Sequence, residues 1–181
     1  MAKAIAQLGG GVAIIDSREK PDEEFNEWAK KYGVKTAYQQ ADVTDQKSLE
    51  SAFDQVVKDV GGQINGCFTG AGFILDEPLI EASFDMSAKL LQVNVLGTFW
   101  TAKLTAKHLV DTKTPGSIVM VASLSGQGVH MPPQHVTIYN ASKGAIRGMV
   151  GPLATELGKY GIRVNSLSPG KHVVNAIYST L

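Results

Sequence analysis

The sequence predicts an α/β protein: a doubly wound parallel sheet with helices on both faces, in three layers, α/β/α. Two observations carry this expectation. Short apolar runs of buried-strand type alternate with helical patterns along the chain, and that period returns each strand parallel to the last through a right-handed crossover. The residues directly after the apolar runs are acidic, small or hydroxylic, and ligands bind in such sheets beyond the carboxyl ends of the strands.

Taken in order, Met1 to Leu8 reads as the end of a helix closed by Gly9-Gly10-Gly11, and Val12-Ala13-Ile14-Ile15 is a buried strand ended by Asp16. Asp22 to Tyr32 is helical by composition with Gly33 as its stop, and Val34 to Gln39 is β-rich, followed by Asp42-Val43-Thr44. Asp45 can cap a helix running to about Val60, with Leu49, Phe53, Val56 and Val57 on one stripe. Gly61-Gly62 ends it before the strand Ile64 to Phe68, and Thr69-Gly70-Ala71-Gly72 opens a loop. One long helical pattern covers Ser83 to about Val110, then Ser117 to Ala122 is a strand, Ile138 to about Tyr160 a helix, and Ile162 to Leu167 a last strand.

Composition narrows the function. The chain has 181 residues, enough for one domain, and its 44% hydrophobic content suffices for a core. The net charge is zero and no Lys/Arg run exceeds Lys30-Lys31, so neither nucleic acid nor an anionic membrane is an expected partner. No apolar segment approaches the ~20 residues that span a bilayer, and the first residues lack a signal-peptide pattern. Cys67, the single cysteine, reads as a buried thiol, which suits a reducing compartment; a cytoplasmic location is expected. His130 and His135 have no Cys or carboxylate cluster around them, so no metal is expected.

The chemistry centres on Tyr139-Asn140-Ala141-Ser142-Lys143. A phenol and an ammonium four residues apart share one helix face, so the cation can favour the phenolate and bring the phenol toward acid–base use. Alone the pair reads as an exposed Lys beside a half-buried Tyr on an amphipathic helix. Asp16, after its strand, can accept from both ribose hydroxyls of an adenosine and repel a 2′-phosphate, which favours NAD; Arg18 can swing to a 2′-phosphate and admit NADP; a plain turn role for Asp16 is the alternative. Gly70-Ala71-Gly72 allows a dinucleotide close to the backbone, and serves equally as an ordinary turn.

Together these residues resemble the short-chain dehydrogenase/reductase family: Tyr139-x-x-x-Lys143, a serine ending the preceding strand, Asn94 in Val93-Asn94-Val95-Leu96-Gly97-Thr98, Asp42-Val43, and Arg163-Val164-Asn165 leading to Pro169-Gly170. Order and spacing match over about residues 1–170, and Tyr139 to Pro169 is similar to fungal members acting on polyols and ketoses, such as sorbose reductase and mannitol or arabinitol dehydrogenases. The resemblance implies a Rossmann-like domain and an NAD(P)-dependent oxidoreductase, a homo-oligomer when complete, that interconverts a small secondary alcohol and a ketone. It implies that Tyr139 exchanges the proton on the substrate oxygen, and that Ser123, rather than Ser125, holds that oxygen. Lys143 binds the nicotinamide ribose and depresses the Tyr139 pKa, while Asn94 bends its helix and binds a relay water through its side chain. Asp16, Asp42, Val43, Gly70, Ala71, Gly72, Asn94, Tyr139, Lys143, Pro169 and Gly170 fall at cofactor positions. The loop between Ser123 and Tyr139, with His130, Pro132, Pro133 and His135, shapes the substrate side.

Three departures stand beside the resemblance. The family's first strand and Thr-Gly-x-x-x-Gly-x-Gly turn, which hold the pyrophosphate at a helix N-terminus, belong before Ala2, and the strand lies mid-sheet in the family's order. Thr69-Gly70 replaces the family's Asn-Asn. After Gly170 the family continues with a substrate-covering segment and a final strand, whereas 171–181 matches neither. The Gly170-Lys171 codons can contain an intron donor, so this tail reads as translated intron, checked by sequencing the mature transcript. The expectation is an incomplete enzyme domain, 1–170, with an unrelated tail. The alternative is a catalytically inactive chain that acts only as an oligomerisation partner through its long helices.

Overall fold

The computed structural model describes residues 1–128 and 134–170, so His130, Pro132, Pro133 and the 171–181 tail lie outside the described residues. The chain divides into two compact units, Met1–Ile64 and a second beginning at Asn65.

The first unit carries α1 (Ala2–Gln7), β1 (Val12–Asp16), α2 (Glu23–Tyr32), β2 (Thr36–Gln40) and α3 (Gln46–Asp59). Glu23 and Glu24 in the first turn of α2 and Lys30 and Lys31 in its last complement the helix dipole, and Gly33, at φ 66°, supplies the left-handed stop. The Asp45 side chain caps α3 by accepting from the Ser48 N–H at 3.0 Å, as expected. β1 and β2 are parallel, Val12 opposite Thr36 and Asp16 opposite Gln40. Ala6, Val12, Phe25, Trp28 and Val34 form the core between these elements. Val34 therefore packs inward before β2 begins, and the strand starts two residues later than the β-rich run suggests.

The second unit carries β3 (Gly66–Thr69), α4 (Phe84–Leu91), α5 (Thr98–Asp111), β4 (Gly116–Val121), α6 (Thr137–Leu157) and β5 (Ile162–Leu167). Its sheet is parallel in the order β3-β4-β5. Ile118, Met120, Ile162 and Val164 from the sheet meet Ala102, Leu109 and Ile146 from the helices in the core. The helical pattern from Ser83 to Val110 is capped by the Ser83 hydroxyl on Met86 N–H, but a π turn, Gln92–Gly97, interrupts it and separates α4 from α5. The predicted strand Ile64 to Phe68 begins at Gly66, where the β4 backbone comes so close that a Cβ would lie 2.4 Å from the Ser117 carbonyl oxygen.

Every described strand pair is parallel, as expected, and the strands form two sheets, a division expected where the family's first strand would lie mid-sheet. Among the described residues β1 hydrogen-bonds only β2, and β3 only β4. Among the described residues no helix is long and apolar enough to cross a membrane.

Candidate active site

In the first unit the ends of β1 and β2 are tied by the Ala41 N–H donating to the Asp16 carbonyl at 2.9 Å. That bond sets Asp16 beside the turn Asp42-Val43-Thr44. Asp42 Oδ1 accepts from both the N–H and the hydroxyl of Thr44 at 2.8 Å, which fixes the turn locally. Asp16 Oδ1 accepts from the Arg18 N–H at 3.0 Å, and the Arg18 guanidinium lies between Asp16 (Nε–Oδ1 3.4 Å) and Asp22 (Nη1–Oδ1 3.0 Å). These two carboxylates hold the guanidinium at the Asp16 strand end. Both groups expected to sense the adenosine ribose are thus at one strand end, an acceptor and a cation side by side.

In the second unit the loops after β3, β4 and β5 converge on the first turns of α6. Lys143 is 6% exposed, and its Nζ donates to the Val121 carbonyl, on the last residue of β4, at 2.9 Å. Burial pushes its ammonium pKa down to about 8. The Nζ lies 5.7 Å from the centroid of the half-buried Tyr139 ring, one turn back on the same face. The resemblance implies that Lys143 lowers the Tyr139 pKa; instead burial raises it, and the opposing influence is a hydrogen bond with the Ser123 side chain. The phenol is taken out of water, while the ammonium is engaged with the β4 carbonyl. Ser123 begins the turn after β4, and its Oγ accepts from the Ser125 N–H at 3.2 Å. Of the two serines weighed from sequence, Ser123 is the one acting on Tyr139.

Asn94 is fully buried within the π turn. Its Oδ1 accepts from the Phe73 N–H and its Nδ2 donates to the Phe73 carbonyl, both at 2.9 Å, and Nδ2 also donates to the Ser142 hydroxyl at 3.1 Å. Both amide hydrogens are committed to protein, so the side chain clamps the loop after β3. Gly72 adjoins this clamp. A Cβ there would lie 3.0 Å from Asn94 Oδ1 and 3.6 Å from Lys143 Nζ, so the residue must stay small. Gly70, Ala71 and Gly72 are exposed, which leaves their backbone open to a ligand. Pro169 joins the same region through its carbonyl, which accepts from the Leu124 N–H at 3.3 Å, and Gly170 faces Leu124 closely enough that a Cβ would lie 3.2 Å from Leu124 Cδ1.

Two participants, Phe73 and Ser142, were not singled out from sequence. Phe73 acts through its backbone and carries no side-chain signal. Ser142 lies inside the Tyr139–Lys143 stretch, where its polarity at a helix-interior position was the available sign. Gly126 lets the turn after β4 lie on α6, since a Cβ would come 2.6 Å from the Lys143 carbonyl carbon. Among the described residues there is no group of three or more His, Cys, Asp or Glu that could hold a metal ion. The Cys67 thiol is pushed up by burial, with a Thr105 hydrogen bond acting the other way.

The residues present fit a dinucleotide cofactor, each unit in its own part. Asp16 offers an acceptor to ribose hydroxyls, and the Lys143 ammonium donates to one carbonyl and retains two further N–H groups beside the open Gly70–Gly72 backbone. Parallel strands with crossover helices and functional residues at their carboxyl ends define an α/β protein of the Rossmann-like type. A family model described as enoyl-(acyl carrier protein) reductase matches residues 1–177. A short chain dehydrogenase/reductase of Aspergillus versicolor is 36% identical over 94% of this chain and 61% of its own length. An NADP-dependent mannitol dehydrogenase of Aureobasidium melanogenum is 33% identical over 93% of this chain and 63% of its own. Among solved structures, an NAD+-bound xylitol dehydrogenase superposes with a TM-score of 0.84 at 30% identity, covering 93% of this chain and 64% of that one. The chain belongs to the short-chain dehydrogenase/reductase family, and it spans less than two thirds of the length of these relatives.

Proposed function

We propose that this chain carries the catalytic residues of an NAD(P)-dependent oxidoreductase that interconverts a secondary alcohol and a ketone, with polyols and ketoses as the first substrate class to try. The observation that carries this reading is the convergence of Ser123, Tyr139, Lys143 and the Asn94 clamp at the strand ends of one sheet. Two relatives named for mannitol and xylitol support the substrate class.

In the reduction direction Tyr139, held protonated by its raised pKa, donates its hydroxyl proton to the carbonyl oxygen, and the Ser123 hydroxyl stabilises the same oxygen as charge develops there. In the oxidation direction Tyr139 takes the alcohol proton back. When bound, the nicotinamide supplies or accepts the hydride. Lys143 orients the nicotinamide ribose with its remaining N–H groups, and Asn94 holds the Phe73 backbone so that the loop after β3 keeps its shape. Asp16 favours NAD, and Arg18, already beside it, can meet a 2′-phosphate once it leaves Asp16 and Asp22.

The test is turnover with a panel of polyols and ketoses and either cofactor, with cofactor binding followed by quenching of Trp28 and Trp100. Tyr139→Phe is expected to lower kcat by about a hundredfold or more, the usual span of a lost proton donor, with cofactor affinity kept. A variant as active as the parent sinks the assignment of Tyr139. The second reading, a chain that acts only as an oligomerisation partner, is favoured by the exposed apolar side chains Phe84, Leu96 and Trp100 along α4, the π turn and α5. Sedimentation of the chain showing association without cofactor binding or turnover supports it over the first.

A further inference from the structure

We propose that Ser142 is a positioning residue whose hydroxyl locks the Tyr139 turn of α6 to the Asn94 carboxamide and, through it, to the Phe73 backbone. Its consequence for turnover rests on the oxidoreductase reading; the linkage itself does not.

The argument is one of hydrogen-bond direction. Ser142 and Asn94 are both fully buried, so neither can turn to solvent. A serine hydroxyl has a single proton to give, and that of Ser142 goes to the Tyr139 carbonyl at 2.7 Å. Toward Asn94 it can then only accept, which takes one hydrogen of Nδ2 at 3.1 Å. The second Nδ2 hydrogen goes to the Phe73 carbonyl, and Oδ1 receives the Phe73 N–H. Each bond fixes the sense of the next. A flipped carboxamide would put its oxygen against both the Phe73 carbonyl and the acceptor-only serine, and its nitrogen against the Phe73 N–H. The chain of bonds therefore runs in one sense, from the turn that bears Tyr139, across the π turn, to the loop after β3.

Its geometry bears on the reacting groups. Gly72, next to Phe73, sits where a Cβ would be 3.0 Å from Asn94 Oδ1 and 3.6 Å from Lys143 Nζ. Rotation of the Asn94 carboxamide thus displaces the backbone beside the lysine. Removing the Ser142 hydroxyl leaves a buried Nδ2 hydrogen without an acceptor, and the carboxamide regains a rotation that the two remaining partners, the Phe73 N–H and carbonyl, cannot both follow.

The experiment compares Ser142→Ala with the parent by amide hydrogen exchange and by steady-state kinetics on the best polyol or ketose. Expected are at least tenfold faster exchange at the Phe73 amide, unchanged exchange at Ile118 and Val164 in the core strands, and a kcat lowered about tenfold with KM altered less than twofold. Ser142→Cys, close in size and weaker as an acceptor, should fall between the two on both readouts, and it stands in for the comparison if the alanine variant does not fold. Unchanged Phe73 exchange overturns the linkage, as does faster exchange spread evenly through the core. If the parent turns nothing over, the oxidoreductase reading fails, and Phe73 exchange alone then supports or overturns the lock.

Discussion

Lys143 has an ammonium whose pKa is lowered from 10.5 to about 8 because the group is buried beside β4 with one carbonyl as partner. Below pH 8 it is charged in both folded and unfolded chains, and burial then costs the fold about 3 kcal/mol. Between pH 8 and 10.5 the unfolded chain binds more protons than the folded one, so stability rises with pH across that window. Lys143→Met is expected to stabilise the protein at pH 7 by up to about 3 kcal/mol, an advantage that shrinks to near zero by pH 10.5, read from urea midpoints. At Tyr139 the shift is upward, and Ser123 is what restrains it. Ser123→Ala should therefore raise the phenol titration further, seen as a later phenolate absorbance rise that is absent in Tyr139→Phe. Sequence identified these three residues through their spacing and strand-end position. It could not give the sense of the Tyr139 shift, because that depends on how much water burial removes and on where the Lys143 amine points.

At the scale of elements, the alternation of apolar runs and helical patterns was enough to place nearly every strand and helix, and β5 begins and ends at the residues expected, Ile162 and Leu167. Caps at Asp45 and Ser83 and the stop at Gly33 were likewise legible, since each rests on a local chemical rule. The π turn was not. Widening a helix by one residue leaves polarity and propensity unchanged, and its cause is a long-range clamp, Asn94 on Phe73, twenty-one positions away. Tight backbone contact was hidden for the same reason. Gly126→Ala would place a methyl 2.6 Å from the Lys143 carbonyl carbon and 2.9 Å from the Gly144 nitrogen, neither of which can yield without moving α6. A loss of about 1–3 kcal/mol in unfolding free energy is expected, with Gly148→Ala, inside α6 and meeting nothing within 4 Å, as the unstrained comparison, stabilising by up to about 1 kcal/mol through helix propensity.

For the whole molecule, a break was expected mid-sheet, where the family's first strand belongs between the strands at Val12 and Ile64, and the described strands fall into two parallel sheets, each with a core of its own. Local pattern reports that a segment is a strand; which strands lie side by side is decided by residues far apart. Separate cores have a thermodynamic signature. Calorimetric unfolding is expected to give an enthalpy larger than the van't Hoff value, the sign of more than one cooperative step, and a ratio of one would show that the units melt together.

The strand β3 has a further consequence. It is hydrogen-bonded to β4 along one side only, and β1 likewise to β2, so each carries a row of backbone donors and acceptors with no ladder partner among the described residues. Such rows are templates for strands of other molecules, and neither carries a proline or a lysine that would discourage pairing. Recovery of soluble protein on refolding should accordingly fall as chain concentration rises, and a short synthetic strand able to lie along β3 should protect it, a matter of colloid chemistry set by two short stretches of unoccupied backbone.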